Sequence, residues 1–235
     1  MAVSISLQNS IVYVQTILKN QSLFVNNQEP ALTTGNIVLQ RMLGAPFIWR
    51  FNRSTITFPI SEAGGTDYTQ TVSDLGRIET QWLNDDKGNM FELKGSQSIA
   101  KVSSMRRPVE VAPVYDDNEG NITFRFNSIP EQEYTANFDY QMKPMILTGP
   151  GMTFGPVPDE FGYLFNKGML CEGALLVSDS RFPIWEKDFI AGMLATQDGL
   201  DAQAKNIFYD QMLNNGRTSL RSQGMSQSGI AGRQQ

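Results

Sequence analysis

The sequence predicts an α+β fold: a helical bundle formed by N- and C-terminal helices, an inserted antiparallel β-sandwich or barrel-like domain, and a flexible C-terminal tail. Three observations lead there. Apolar residues recur at helical spacing near both ends of the chain. Between Phe47 and about Leu147 the period changes to two. The residues from Gly216 on are rich in Gly, Ser and Gln, with three Arg and no acid. The expected division is 1–46 with 148–215 as the helical domain, 47–147 as the β-domain, and 216–235 as the tail.

Leu7, Ile11, Val14 and Leu18 make one apolar stripe, so a first helix is expected over 5–19. Thr33 or Thr34 can cap a second helix over 34–44, with Ile37, Val38 and Met42 inside. Gly44 ends it and Pro46 forbids continuation. Strands follow from alternation: Arg77 to Trp82, Ile122 to Phe126, and Tyr134 to Tyr140. Turn signals at Ala63-Gly64-Gly65, Asn84 to Asn89, Asp116 to Asn121 and Ser128-Ile129-Pro130 divide this region into six to eight strands. On this reading Trp82 and Phe138 lie in the sheet core. Thr148-Gly149-Pro150-Gly151 closes the sheet region.

Pro158 opens a third helix over 158–178, with Asp159 and Glu160 at the positive end of its dipole. Phe161, Leu164, Gly168, Cys171 and Leu175 share one face. Asp179 or Ser180 can cap a last helix over 183–214, with Trp185, Phe189 and Met193 four apart, then Leu200, Ala204, Ile207 and Phe208. Each amphipathic stripe needs cover, and the other helices are the nearest apolar partners.

Composition narrows the function. The chain has 235 residues and not one histidine, which excludes Ser-His-Asp and Cys-His catalysis and His-ligated zinc. The lone Cys171 can form no internal disulfide, and its apolar flanks suit a buried thiol better than a nucleophile. The chain is expected to be no enzyme, to need no cofactor and no metal, and to be made in a cytoplasm. No apolar run approaches the ~20 residues of a membrane helix, and MAVSISLQNS carries no signal-peptide pattern. The Asn-x-Ser/Thr triplets at Asn20, Asn52 and Asn121 are then chance matches.

Several motifs have a sharper and a plainer reading. Asp116-Asp117-Asn118-Glu119-Gly120 is acidic but lacks the EF-hand spacing, and a hairpin loop is favoured. Gly149-Pro150-Gly151 with Gly155 matches neither a dinucleotide nor a P-loop pattern. Arg106-Arg107 suits a solvated or interface edge more than a phosphate site. The aromatic set Trp49, Phe51, Trp82, Phe124, Phe126, Tyr134, Phe138 and Tyr140 reads as sheet core more than as a sugar platform. A carboxylate pair for hydrolysis is defined by separation in space, and the sequence singles none out. The net charge of −5 includes +3 from the tail, which leaves −8 on the body.

Two stretches carry a family resemblance. Asn121 to Phe126, then Ile129-Pro130, then Tyr134 to Pro144 with its closing Tyr140-Gln141-Met142-Lys143-Pro144, resembles the hairpin of head–tail adaptor (connector) proteins of short-tailed phages, the tail tubular A-like family. Val157-Pro158-Asp159-Glu160-Phe161 before two helices resembles their C-terminal helix pair, and Asn36 to Phe51 fits the helix-to-sheet passage more loosely. The resemblance spans most of 1–214; the long tail departs from it. It implies a structural virion protein of the neck, a subunit of a homo-oligomeric, twelvefold ring. That ring joins the portal protein to the downstream tail or nozzle protein and forms part of the DNA channel. DNA passes through without sequence-specific binding, and no membrane is involved. No catalytic residues transfer.

A closed ring needs two unlike lateral faces. In the tail, Leu220, Met225 and Ile230 are spaced by five and can anchor along a partner's groove, with Arg217, Arg221 and Arg233 meeting acidic groups. These six are the expected partner-binding residues toward portal and tail. The alternative is a carbohydrate- or host-receptor-binding β-domain protein of the virion.

Overall fold

The computed structural model describes residues 6–20, 22–24, 29–117, 120–154, 157–197 and 203–213. The chain divides into two compact units: Ile48–Met145, and the described residues of Met1–Phe47 with Ile146–Gln235.

The helical unit contains α1 (Leu7–Leu18), α2 (Ala31–Leu43), α3 (Gly162–Leu176) and α4 (Phe182–Ala195), with a further helical stretch over 203–213. Ser6 caps α1 by accepting the Asn9 N–H through its hydroxyl, and Leu7, Ile11 and Val14 are buried. α2 begins earlier than Thr33: Pro30 is its N-cap, and the Glu29 carboxylate accepts from the Thr33 N–H and hydroxyl. The sequence 183–214 is not one helix. α4 stops at Ala195, where the Thr196 hydroxyl bonds back to the Met193 carbonyl.

α3 explains how this unit is built. Leu164, Phe165, Gly168, Met169, Leu170, Cys171, Gly173 and Ala174 are all buried, so the helix is covered on nearly every side. Such a helix belongs in an interior rather than at a surface. Its glycines let neighbours approach. A Cβ at Gly168 would lie 2.5 Å from Val38 Cγ1 and 3.0 Å from the Phe189 ring.

The other unit holds two four-stranded sheets, in the orders β1-β8-β3-β4 and β2-β7-β6-β5. The strands are β1 (Arg53–Ile60), β2 (Asp67–Thr71), β3 (Leu75–Asn84), β4 (Met90–Glu92), β5 (Lys94–Gly95), β6 (Glu110–Asp116), β7 (Asn121–Phe126) and β8 (Tyr134–Met142). Alternate residues of the two sheets meet in one core. Phe58 lies 5.6 Å from Phe124, and Phe124 stacks on Phe138 at 4.6 Å.

The expected fold class is corrected in two respects, although the mixture of helix and sheet remains. The helices do not form an N- and C-terminal bundle. α1, α2 and α4 each pack on α3, while α1 and α2 meet only marginally. A bundle shares its core among helices with one apolar stripe each; here α3 has most of its residues buried and the other three helices pack on it. The β region is neither a barrel nor wholly antiparallel. It is two mostly antiparallel sheets, and β5 runs parallel to β6.

Trp82 is a second correction. Phe138 is fully buried, but Trp82 is only half-buried. β3 carries an irregularity between Ile78 and Thr80. Ile78 stands opposite Tyr140 before it; afterwards Gln81 and Leu83 stand opposite Phe138 and Ala136. One extra residue reverses the facing of every later side chain. Leu83 therefore takes the core position, and Trp82 stands opposite Asn137 on the outer face.

Candidate functional site

The six tail residues Arg217, Leu220, Arg221, Met225, Ile230 and Arg233 lie outside the described residues. The groups that can be placed are an ion cluster, an apolar corner, a cavity between the sheets and a basic segment.

In the helical unit, Arg41 of α2 pairs with Glu172 of α3, lies 3.9 Å from Glu186 of α4, and sits 5.1 Å from the centre of the Phe189 ring. Burial alone would lower the guanidinium's pKa, but Glu172 and the neighbouring thiol outweigh it and hold it above the ordinary value. Cys171 is fully buried beside this group, and burial pushes its thiol up to about 12. A thiol held in that form is no nucleophile at neutral pH. The cluster is a clamp across three helices.

The end of α3 leaves Leu175, Leu176 and the C-cap Val177 exposed at 49%, 53% and 36%, with Ile184 in the first turn of α4 at 62%. Asp179 and Arg181 flank this corner and neutralise each other at 2.8 Å. Three consecutive exposed apolar residues are unusual on a monomer surface unless a partner covers them. Leu175 is thus not part of the buried face on which its spacing placed it: after Ala174 the helix emerges from its cover.

In the β unit, a cavity of about 440 Å3 opens between β3 and β6. Ile78, Val111, Phe124 and Phe138 line it, with Gln81 and Ser96 among its polar groups. The Gln81 side-chain N–H already donates to the Leu93 carbonyl, and the Glu79 carboxylate accepts from Arg53 and Gln141. On the outer face of the same sheet, the Thr55 and Thr80 hydroxyls donate to the two oxygens of Asp139, and Thr57 donates to Asn137. These groups satisfy one another across three strands. Of the aromatic set, Phe124, Phe126, Tyr134, Phe138 and Tyr140 belong to the sheet core; Trp49 is buried before β1, and Phe51 and Trp82 are half-buried.

The Asp116 to Gly120 segment joins β6 to β7, where the Asp117 carboxylate accepts the N–H and side-chain amide of Asn121. Among the described residues no group of three His, Cys, Asp or Glu is placed to hold a metal ion. No described helix is long and apolar enough to cross a membrane.

Arg106 and Arg107 lie in the long connection from β5 to β6, tied down where Arg106 N–H donates to the Ile129 carbonyl and Ser128 donates to the Arg106 carbonyl. Lys94 and Lys101 belong to the same segment, and sequence reading passed over them. The signal was present: residues 93–109 hold four cations and no acid. No model of a known protein family matches the chain, and no curated protein does.

Proposed function

We propose that the chain is a structural virion protein, a subunit of a head–tail adaptor ring that joins a portal to a tail and forms part of the DNA channel. The observation that carries this reading is the exposed corner of Leu175, Leu176, Val177 and Ile184. A chain that buries α3 on nearly all sides leaves these apolar residues in water, where a neighbouring subunit would cover them. The adaptor-like motifs from Asn121 to Pro144 and from Val157 to Phe161 support the same reading. In it, the ring is homo-oligomeric, the tail beyond Gly216 reaches the portal, and DNA passes without sequence-specific contact.

Electron imaging of the concentrated chain tests this: closed rings are expected, and Leu176→Asp should leave a folded subunit that no longer closes them. A chain that stays monomeric at all concentrations, and that a gold-labelled antibody does not place at the virion neck, would overturn it. The cavity between β3 and β6 favours a second reading, a carbohydrate- or receptor-binding protein of the virion. Saturable binding on a glycan array, lost on Ser96→Trp at the cavity wall, would select that reading instead.

A further inference from the structure

We propose that the segment Lys94 to Val109 is a contact surface for the phosphate backbone of duplex nucleic acid. It comprises β5 and the connection to β6 and carries Lys94, Lys101, Arg106 and Arg107 without one acidic residue, on a chain whose net charge is −5. All four cations are exposed.

Their partners decide the argument. Among the described residues Lys94 and Arg106 form no ion pair; Glu110 is the register neighbour of Lys94 but does not bridge to it. Arg107 lies over the Phe91 ring at 4.4 Å, a contact that leaves its charge unneutralised. Lys101 approaches Asp67 at 3.8 Å, but both oxygens of that carboxylate already accept from Arg125 at 2.8 and 2.9 Å. Among the described residues, then, only Lys101 of the four cations approaches a carboxylate, and it shares that carboxylate with Arg125.

The segment also has a defined course. Ile99 and Pro108 are buried, and Met105 bridges Ile129 in parallel. Ser98, Ser103 and Ser104 are exposed hydroxyls between the cations. Cations alternating with hydroxyls suit phosphate oxygens, contacts that hold a duplex without reading its sequence. The surface is therefore expected to bind duplex without sequence preference. The inference concerns the free subunit and does not depend on the ring reading.

Fluorescence anisotropy with a labelled 30-base-pair duplex of random sequence tests it on the full chain. Saturable binding is expected at 25 mM salt. With about four phosphate contacts, affinity should fall on the order of 100-fold by 100 mM salt. The combined variant Lys94→Gln, Lys101→Gln, Arg106→Gln should bind at least tenfold more weakly with an unchanged melting temperature. Arg107 is left in place because it packs on Phe91. A control with the same charge change elsewhere, Lys87→Gln, Lys187→Gln, Lys205→Gln, should lose less than threefold. Four results would each overturn the proposal: no binding at 25 mM salt, equal loss in both variants, loss only when 216–235 is removed, or equal displacement by polyglutamate. The last would point to an acidic protein surface instead.

Discussion

The helical unit and the β unit bury their cores by different rules, and they tolerate change differently. α3 has almost no spare face: Leu164 to Ala174 is covered nearly all round, and neighbours press on Gly168 and Gly173. The strands bury their apolar residues at alternate positions, although the central β8 also buries Asn137 and Gln141 between them. On β7 the pattern is strictly alternating, with Ile122, Phe124 and Phe126 inside and Asn121, Thr123 and Arg125 half-exposed. A helix interior thus constrains consecutive residues, whereas a strand constrains every second one until a bulge shifts the count.

The largest expected effect lies in the β core. Phe138→Ala removes a ring stacked on both Phe58 and Phe124 and should cost ~3–5 kcal/mol in chemical denaturation. Trp82→Ala sharpens the comparison: from the outer face of β3 it should cost only about 2 kcal/mol, reflecting partial burial. Equal losses at the two sites would mean that the bulge does not reverse the facing of Trp82.

Gly168→Ala tests the helical side through its sign. Helix propensity alone would favour alanine by about 1 kcal/mol. The new Cβ would meet Val38 and Phe189, and overpacking costs about 1–3 kcal/mol. Net destabilisation is expected, and a stabilised variant would show that α3 has more room than the packing implies.

Two smaller effects concern ionisation. Cys171 should resist a thiol reagent at pH 8 in the native chain and react fully once unfolded, because it is buried and held protonated. In the β unit, the Arg125 hydrogen bonds hold the Asp67 carboxyl below its ordinary value. Its stabilisation is therefore present above the unfolded-state pKa and lost as pH falls through the lower folded-state pKa. Asp67→Asn should remove that part of the acid sensitivity below about pH 4, measured as melting temperature against pH. An identical pH profile would show that the pair contributes nothing.

Local periodicity made much of this legible. The stripe of α1, the alternation of β7 and β8 and the hairpin at Asp116 to Asn121 depend on neighbours in the chain, so they could be read from it. The start of α2 and the break after Ala195 escaped because capping by Glu29 and Thr196 competes with the more obvious Thr and Gly signals. The corner at Leu175 escaped for another reason. Its spacing continues the buried face of α3, and only the position where covering helices stop makes it exposed. The cations of 93–109 were visible, but it was not visible that, among the described residues, only Lys101 approaches a carboxylate.

By itself, then, the sequence determined the mixture of helix and strand, the alternating core of β7 and β8, the chemistry ruled out by lacking histidine, and the basic character of the tail. Only the tertiary structure decided that α3 is the hub of its unit, that β5 joins β6 in parallel, that Trp82 faces outward, and which charges are neutralised. The reason is physical. Periodicity and composition are properties of neighbours in sequence, whereas cover, register and ion pairing depend on which distant segments meet.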